Sequence, residues 1–308
     1  MGKRILLFIV TNILVVITIS ILINLLGVRY YIENTASGYG LNLQALLIFC
    51  LIWGFVGAFI SLALSKVMAK MMMGLSVIDP RNASGIEAQL VATVHRLAKA
   101  AGLTQMPEVA MYESEEVNAF ATGPTRSSSL VAVSSGLLRK MEWSEVEGVL
   151  GHEVAHIANG DMVTMALLQG VVNAFVMFLS RVVAFAISTA MSRSDDREGA
   201  SFPSLLNFIL TIVFDIIFTL LGSLVVAAFS RYREYRADAG GASLAGSSKM
   251  IAALERLKST QELVDTNTAP SMASMKISNK KGFLALFSTH PPLKDRIQRL
   301  QNSAAGWV

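Results

Sequence analysis

His152-Glu153-Val154-Ala155-His156 lies at the middle of a chain of 308 residues. On a helix, residues four apart share one face, about a turn apart. Both imidazoles can then reach a single metal ion. Glu153 falls beside that ion, where it can take a proton from water. Zinc brings the pKa of water down to about 7, so a carboxylate suffices as base. With 4 His in the chain, coincidence would produce this pattern on the order of once in a few hundred such sequences. Ser144-Glu145-Val146-Glu147 reads as a capping box that opens the helix. Asn159-Gly160 reads as its end.

A catalytic zinc keeps three protein ligands and one open position. His95 sits beside Arg96 on the polar side of its own helix and reads as a solvated surface histidine. Cys50 is the single cysteine, which excludes a disulfide within the chain and any cysteine-based metal site. The third ligand is therefore sought among carboxylates. Glu234-Tyr235-Arg236-Ala237-Asp238 offers two, four apart on one helical face. Alone, the segment reads equally as an exposed charged helix whose acids pair with Arg231, Arg233 and Arg236. Together with the upstream motif, Glu234 is expected to ligate the metal. Asp238 is expected to hydrogen-bond the free nitrogen of a ligating histidine, most simply His152.

Working outward, the composition points to a membrane. Hydrophobic residues make up 53% and charged residues only 16%, with mean hydropathy +0.53, whereas soluble domains carry roughly 25% charge. That excludes intrinsic disorder and argues against a single water-soluble domain. Four apolar stretches are long enough for about 30 Å of hydrocarbon: residues 5–28, 41–64, 162–191 and 202–230. The first is too long for a signal-peptide core and lacks a small-residue cleavage site, so it reads as a retained anchor. Lys3 and Arg4 precede the first stretch and Lys66 and Lys70 follow the second, which makes these flanks cytoplasmic. They also account for the net charge of +4 without a nucleic-acid partner.

The third and fourth stretches each contain one ionisable residue, Arg181 and Asp215. They read as spans or as a buried hairpin. Because His152 precedes them and Glu234 follows them, both cross or neither does. Arg181 and Asp215 are equally spaced about residue 198 and either pair or separate, Arg181 reaching the surface and Asp215 a watery cavity.

Between the apolar stretches the pattern is that of a water-facing domain. Ser84-Gly85-Ile86-Glu87 is a second capping box, and Ile86, Leu90, Val94 and Leu97 recur at helical spacing up to a stop at Gly102. Strands are expected at residues 108–112, 118–121 and 130–133. Residues 265–281 read as a loop. His290 remains unassigned. It precedes Pro291-Pro292, which stiffens the loop. It reads either as a second donor to the oxyanion, worth roughly 3 kcal/mol, or as part of a helix-entry turn.

Four segments together resemble the HtpX family of bacterial inner-membrane zinc metalloproteases, relatives of the CAAX prenyl proteases. They are Asn118-Ala119-Phe120-Ala121-Thr122-Gly123-Pro124, residues 151–161, residues 230–238 and His290-Pro291-Pro292. The resemblance covers essentially the whole chain. It implies one Zn²⁺ on His152, His156 and Glu234, with Glu153 as general base. It implies a cleft faced by His290 and Arg296, and a cytoplasmic active site. It also implies a role in degrading damaged membrane proteins under stress. Asn118, Ala119, Phe120 and Ala121 are expected to hold substrate as an added strand, chiefly on the resemblance.

The expected fold is α+β, mostly helical: multi-pass membrane helices around a zincin-like catalytic domain. Residues 1–65 and 162–230 would each supply two membrane helices. Residues 66–161 and 231–308 would form the two parts of the catalytic domain, with both termini cytoplasmic. The expected partners are protein substrates, membrane proteins above all, and the lipid bilayer. Two other functions fit less well. One is a site-specific processing peptidase. The other is a membrane scaffold with structural zinc, which normally takes four ligands and favours cysteine.

Overall fold

The computed structural model describes residues 41, 43–192, 202–266 and 286–305. The expected span at residues 5–28 and most of the loop at 265–281 lie outside these. The remaining three apolar stretches are helices long and apolar enough to cross a membrane: α1 (Leu43–Met73), α5 (Asp161–Ser192) and α6 (Phe202–Ala245). Each outruns its apolar stretch. At 44 residues, α6 is about 66 Å long, more than twice the hydrocarbon thickness of about 30 Å. No helix end marks the expected boundary between residues 230 and 231. The helix continues into the polar segment that carries Glu234 and Asp238.

The chain divides into two compact units. Among the described residues, one gathers those up to Ile60 with those of 166–226, and the other those of 61–165 with those from Ala227 onward. In the first unit, Cys50, Phe178 and Val182 form a small core. Gly54 lets α1 close on α5, since a Cβ there would come within 2.8 Å of the Gly170 carbonyl. Trp53 and Phe59 of α1 and Phe208, Ile216 and Leu220 of α6 are exposed, as lipid-facing side chains are. Arg181 and Asp215 form no ion pair. The Arg181 guanidinium folds back onto the Met177 carbonyl at 2.8 Å, which already satisfies one of its donors.

The second unit is built on a four-stranded sheet: β1 (Ser76–Val77), β2 (Glu108–Tyr112), β3 (Ala119–Thr125) and β4 (Ser128–Ser134), in the order β1-β2-β4-β3. β2 and β4 are parallel, and the outer pairs are antiparallel. Alternation sorts the side chains by face. Val109, Val131 and Val133 join the main core, while Ala110, Tyr112, Leu130 and Ala132 form a separate cluster. β3 is an edge strand that begins one residue later than expected. Asn118 leads into it, exchanging main-chain and hydroxyl hydrogen bonds with Ser134.

The core face is covered by α2 (Gly85–Ala100) and α4 (Trp143–Asn159), with the short α3 (Ser135–Lys140) between strand and helix. α7 (Ser247–Thr266) packs on α4, and α8 (Leu293–Ala305) on α7 through Met250, Leu254, Ile297 and Leu300. Neither expected capping box forms. Ser84 caps α2 only through its main-chain carbonyl. In α4 the box lies two residues earlier, between Glu142 and Glu145. Glu147 is unavailable because Arg96 and Lys249 engage its two oxygens. His95 is half-buried rather than solvated, with Nε2 3.2 Å from the Pro107 carbonyl.

Gly148 sets the approach of α7 to α4. A Cβ there would lie 2.4 Å from the Lys249 carbonyl and 2.9 Å from Ala253 Cβ. Gly148→Ala is expected to cost about 1–3 kcal/mol of stability, read as a lower unfolding midpoint in detergent with unchanged helix content.

Candidate metal centre

α4 carries His152 and His156 one turn apart, with ring centroids 4.6 Å apart and near-perpendicular planes. α6 brings Glu234 to them. The two Nε2 atoms are 3.1 Å apart. Glu234 Oε1 lies 3.4 Å from His156 Nε2, and Oε2 lies 3.5 Å from His152 Nε2. Ligands at about 2.05 Å in tetrahedral array are separated by roughly 3.3 Å. The three side chains therefore fit a zinc-sized ion. Among the described residues they are the one histidine-and-acid group so spaced. Glu234 is only 2% exposed, and its Oε2 is buried without an aligned hydrogen-bond donor. A cation would satisfy that oxygen.

Each histidine has a carboxylate on its other nitrogen. His152 Nδ1 is 3.0 Å from Asp238 Oδ1, so the sequence places the right partner there, although the two are not aligned as a hydrogen bond. His156 Nδ1 is 2.7 Å from Asp161 Oδ2, which the sequence reading missed. A position five residues on points about 140° away along a continuous helix. Asp161 reaches back because α4 ends at Gly160 in the left-handed conformation, φ 64°, and α5 starts afresh at Asp161. The signal was present in the glycine stop directly before an acid. Such paired carboxylates fix the tautomer and raise the basicity of a ligating imidazole.

Arg296 is buried, 6% exposed. It grips Asp238 in a fork, Nε donating to Oδ2 at 2.8 Å and Nη2 to Oδ1 at 2.5 Å. Its Nη1 is 3.5 Å from Glu234 Oε2. The guanidinium thus reaches the site through the two α6 carboxylates. His290 also arrives, with Nδ1 2.9 Å from Glu234 Oε2 and a side chain 66% exposed. Glu153 is half-buried and makes no hydrogen bond or ion pair with a described residue. α4 packs against β3, the edge strand containing Ala119, Phe120 and Ala121. The α6 arginines do not neutralise acids on their own helix. Arg233 donates to the Asp161 carbonyl and Arg236 to Asn159 Oδ1.

The charges sustain one another. Burial opposes the negative charge on Glu234, but the imidazoles of His152, His156 and His290 gathered against it outweigh burial and hold the carboxyl far below the usual range. Burial would likewise lower the His156 pKa, yet Asp161 and Glu234 carry it up to about 9. His152 is raised for the same reason, burial being overcome by Asp238 and Glu234.

Residues 86–304 match the profile described as Peptidase family M48. The chain is 54% identical over 307 residues to a "Protease HtpX homolog" of Bacillus subtilis, covering 98% of this chain and 99% of that one. It is 52% identical over 304 residues to a "Protease HtpX homolog" of Bacillus pumilus, with coverage of 98% and 99%. Among solved structures it resembles Ste24p of S. mikatae, with TM-score 0.59 and 17% identity over 97% of this chain and 67% of that one.

Two outcomes follow for the metal. Asp161→Asn and Asp238→Asn should each weaken zinc affinity by about 10–100-fold, measured by chelator competition. Below about pH 9 the ion must displace the His156 proton. Zinc uptake by the metal-free chain at about pH 7.5 should therefore release protons into a weak buffer, and affinity should climb with pH until about 9. Uptake without proton release would contradict this.

Proposed function

The chain belongs to peptidase family M48, and to the HtpX family of proteases within it, and from that premise we propose that it is a zinc-dependent endopeptidase of the bacterial inner membrane that degrades misfolded or damaged membrane proteins. It is a membrane metallopeptidase, and it acts on protein. The observation that supports the zinc-dependent chemistry is the convergence of His152, His156 and Glu234 at mutual separations of 3.1, 3.4 and 3.5 Å. Zinc fits the borderline nitrogen-and-oxygen donor set and the three-ligand count with an open position. The cytoplasmic side for the site and both termini follows from the lysines that close the second apolar stretch.

When bound, the ion supplies Lewis acidity to a peptide carbonyl and to water. The residues supply the rest. His152 and His156 bind it as neutral imidazoles, steadied by Asp238 and Asp161. Glu234 completes the set. Glu153 takes the proton of the attacking water on its carboxylate and delivers it to the leaving amine nitrogen. Residues 118–121 lead into β3, the edge strand of the sheet, where an extended substrate can pair through main-chain hydrogen bonds with little regard to sequence. That tolerance, together with a ligand, Glu234, carried on the extension of a helix apolar enough to cross a membrane, suits a quality-control enzyme. His290 contributes a donor to the developing oxyanion, and Arg296 holds Asp238 and Glu234 in place behind the ligands.

The test is cleavage of casein and of a membrane-protein substrate by the purified chain, with and without zinc. Glu153→Gln should retain one zinc per chain and lose peptidase activity by several orders of magnitude, about 10³-fold or more. His156→Ala should lose both zinc and activity. Near wild-type cleavage by Glu153→Gln would end the proposed role of that residue. One zinc per chain without any peptidase activity in the wild type would instead favour a structural metal.

A further inference from the structure

Arg231 lies outside the metal-holding set. It precedes Glu234 by three residues on α6, so the two share a face of the helix about one turn apart. Its guanidinium spans to a distant part of the chain. Nη1 donates to the Leu286 carbonyl at 2.7 Å and to the Ser288 carbonyl at 2.8 Å. The Ser288 hydroxyl donates to the His290 carbonyl at 2.8 Å. His290 Nδ1 then returns to Glu234 Oε2 at 2.9 Å. These contacts close a ring that leaves α6 at Arg231 and comes back to it at Glu234.

His290 needs such support. Its side chain is 66% exposed, so packing does not fix it. Downstream it is anchored by the buried Pro291 and by the first turn of α8, whose amides bond the Pro292 carbonyl. Upstream, Arg231 ties the carbonyls of Leu286 and Ser288 to the helix bearing the metal ligand. A guanidinium suits this task, because its donors are held in a fixed fork and its charge is never lost.

We propose that Arg231 is a positioning residue for peptide hydrolysis: by clamping the carbonyls of Leu286 and Ser288 it holds the His290 imidazole against Glu234 at the metal site. The proposal rests on the hydrolase reading above and on the donor role given there to His290. Arg231 itself touches neither the metal ligands nor, on this account, the substrate.

The experiment is a double-mutant cycle on the full-length, zinc-loaded protein in detergent, with R231Q, H290A and the double variant. Hydrogen exchange is followed alongside over residues 286–292. R231Q should lower kcat about 10- to 100-fold, the loss expected when a catalytic group is misplaced by about 1 Å. KM and zinc content should stay unchanged, and exchange across residues 286–292 should quicken. R231Q/H290A should be no slower than H290A, because the clamp acts only through that imidazole. R231K can still bridge two carbonyls and should recover part of kcat. It carries the cycle if R231Q does not fold. The clamp is overturned by kcat within about twofold of wild type, by loss of zinc, by unchanged exchange, or by losses that multiply with those of H290A. A wild type that cleaves nothing removes the hydrolase reading instead, and the exchange comparison still decides whether Arg231 holds the segment.

Discussion

Glu234 is a carboxylate with 2% exposure, and everything around it answers that fact. Withdrawing a charge from water costs several kcal/mol even after the protein relaxes. The cost is met only if opposite charges and donors are brought to it from several elements. His152 and His156 come from α4, Arg296 from α8 and His290 from the loop before α8. None of these groups lies near Glu234 in sequence. The packing of α4, α7 and α8 is therefore as much a device for surrounding one carboxylate as a hydrophobic core. Asp238 repeats the theme one turn further along, shared between His152 and the fork of Arg296.

What could be read from the sequence follows the range of the interactions concerned. The metal helix was legible because His152, Glu153 and His156 encode their shared face locally. Glu234 and Asp238 were legible because a carboxylate pair at helical spacing had an obvious vacancy to fill. The strand at Glu108–Tyr112 and the core positions Leu90, Val94 and Leu97 followed from periodicity alone. The capping boxes misled for a tertiary reason. Glu147 satisfies the local pattern, but its oxygens go to Arg96 and Lys249, 51 residues before and 102 after it in the chain. Arg181 and Asp215 misled similarly, since symmetric spacing in a hairpin says nothing about a nearby carbonyl able to take the guanidinium. Asp161 was missed because helical reasoning stops where the helix stops.

The apolar stretches were read as ending where hydropathy ends, whereas hydrogen-bonded helices end where the backbone finds a reason to. In α6 no proline and only one glycine, Gly222, stands between the lipid-facing Leu220 and Arg231, and a lone glycine costs a helix only about 1 kcal/mol, so the helix runs on. Gly240 and Gly241 do occur later, and there the lack of a side chain serves packing: a Cβ on Gly241 would meet the His152 backbone at 2.9 Å. Small residues bring α6 down onto the metal helix, and that closeness delivers its two carboxylates.

Gly160 shows a conflict between local stability and activity. Alanine in its place would favour a continuous helix by about 1 kcal/mol of intrinsic propensity. A helix continued through this position would carry Asp161 about 140° around the axis from His156. Selection for a sturdier helix and selection for a working site thus pull in opposite directions at one backbone position. The residue that keeps the second imidazole oriented does so by preventing its own helix from being as long as its neighbours would allow.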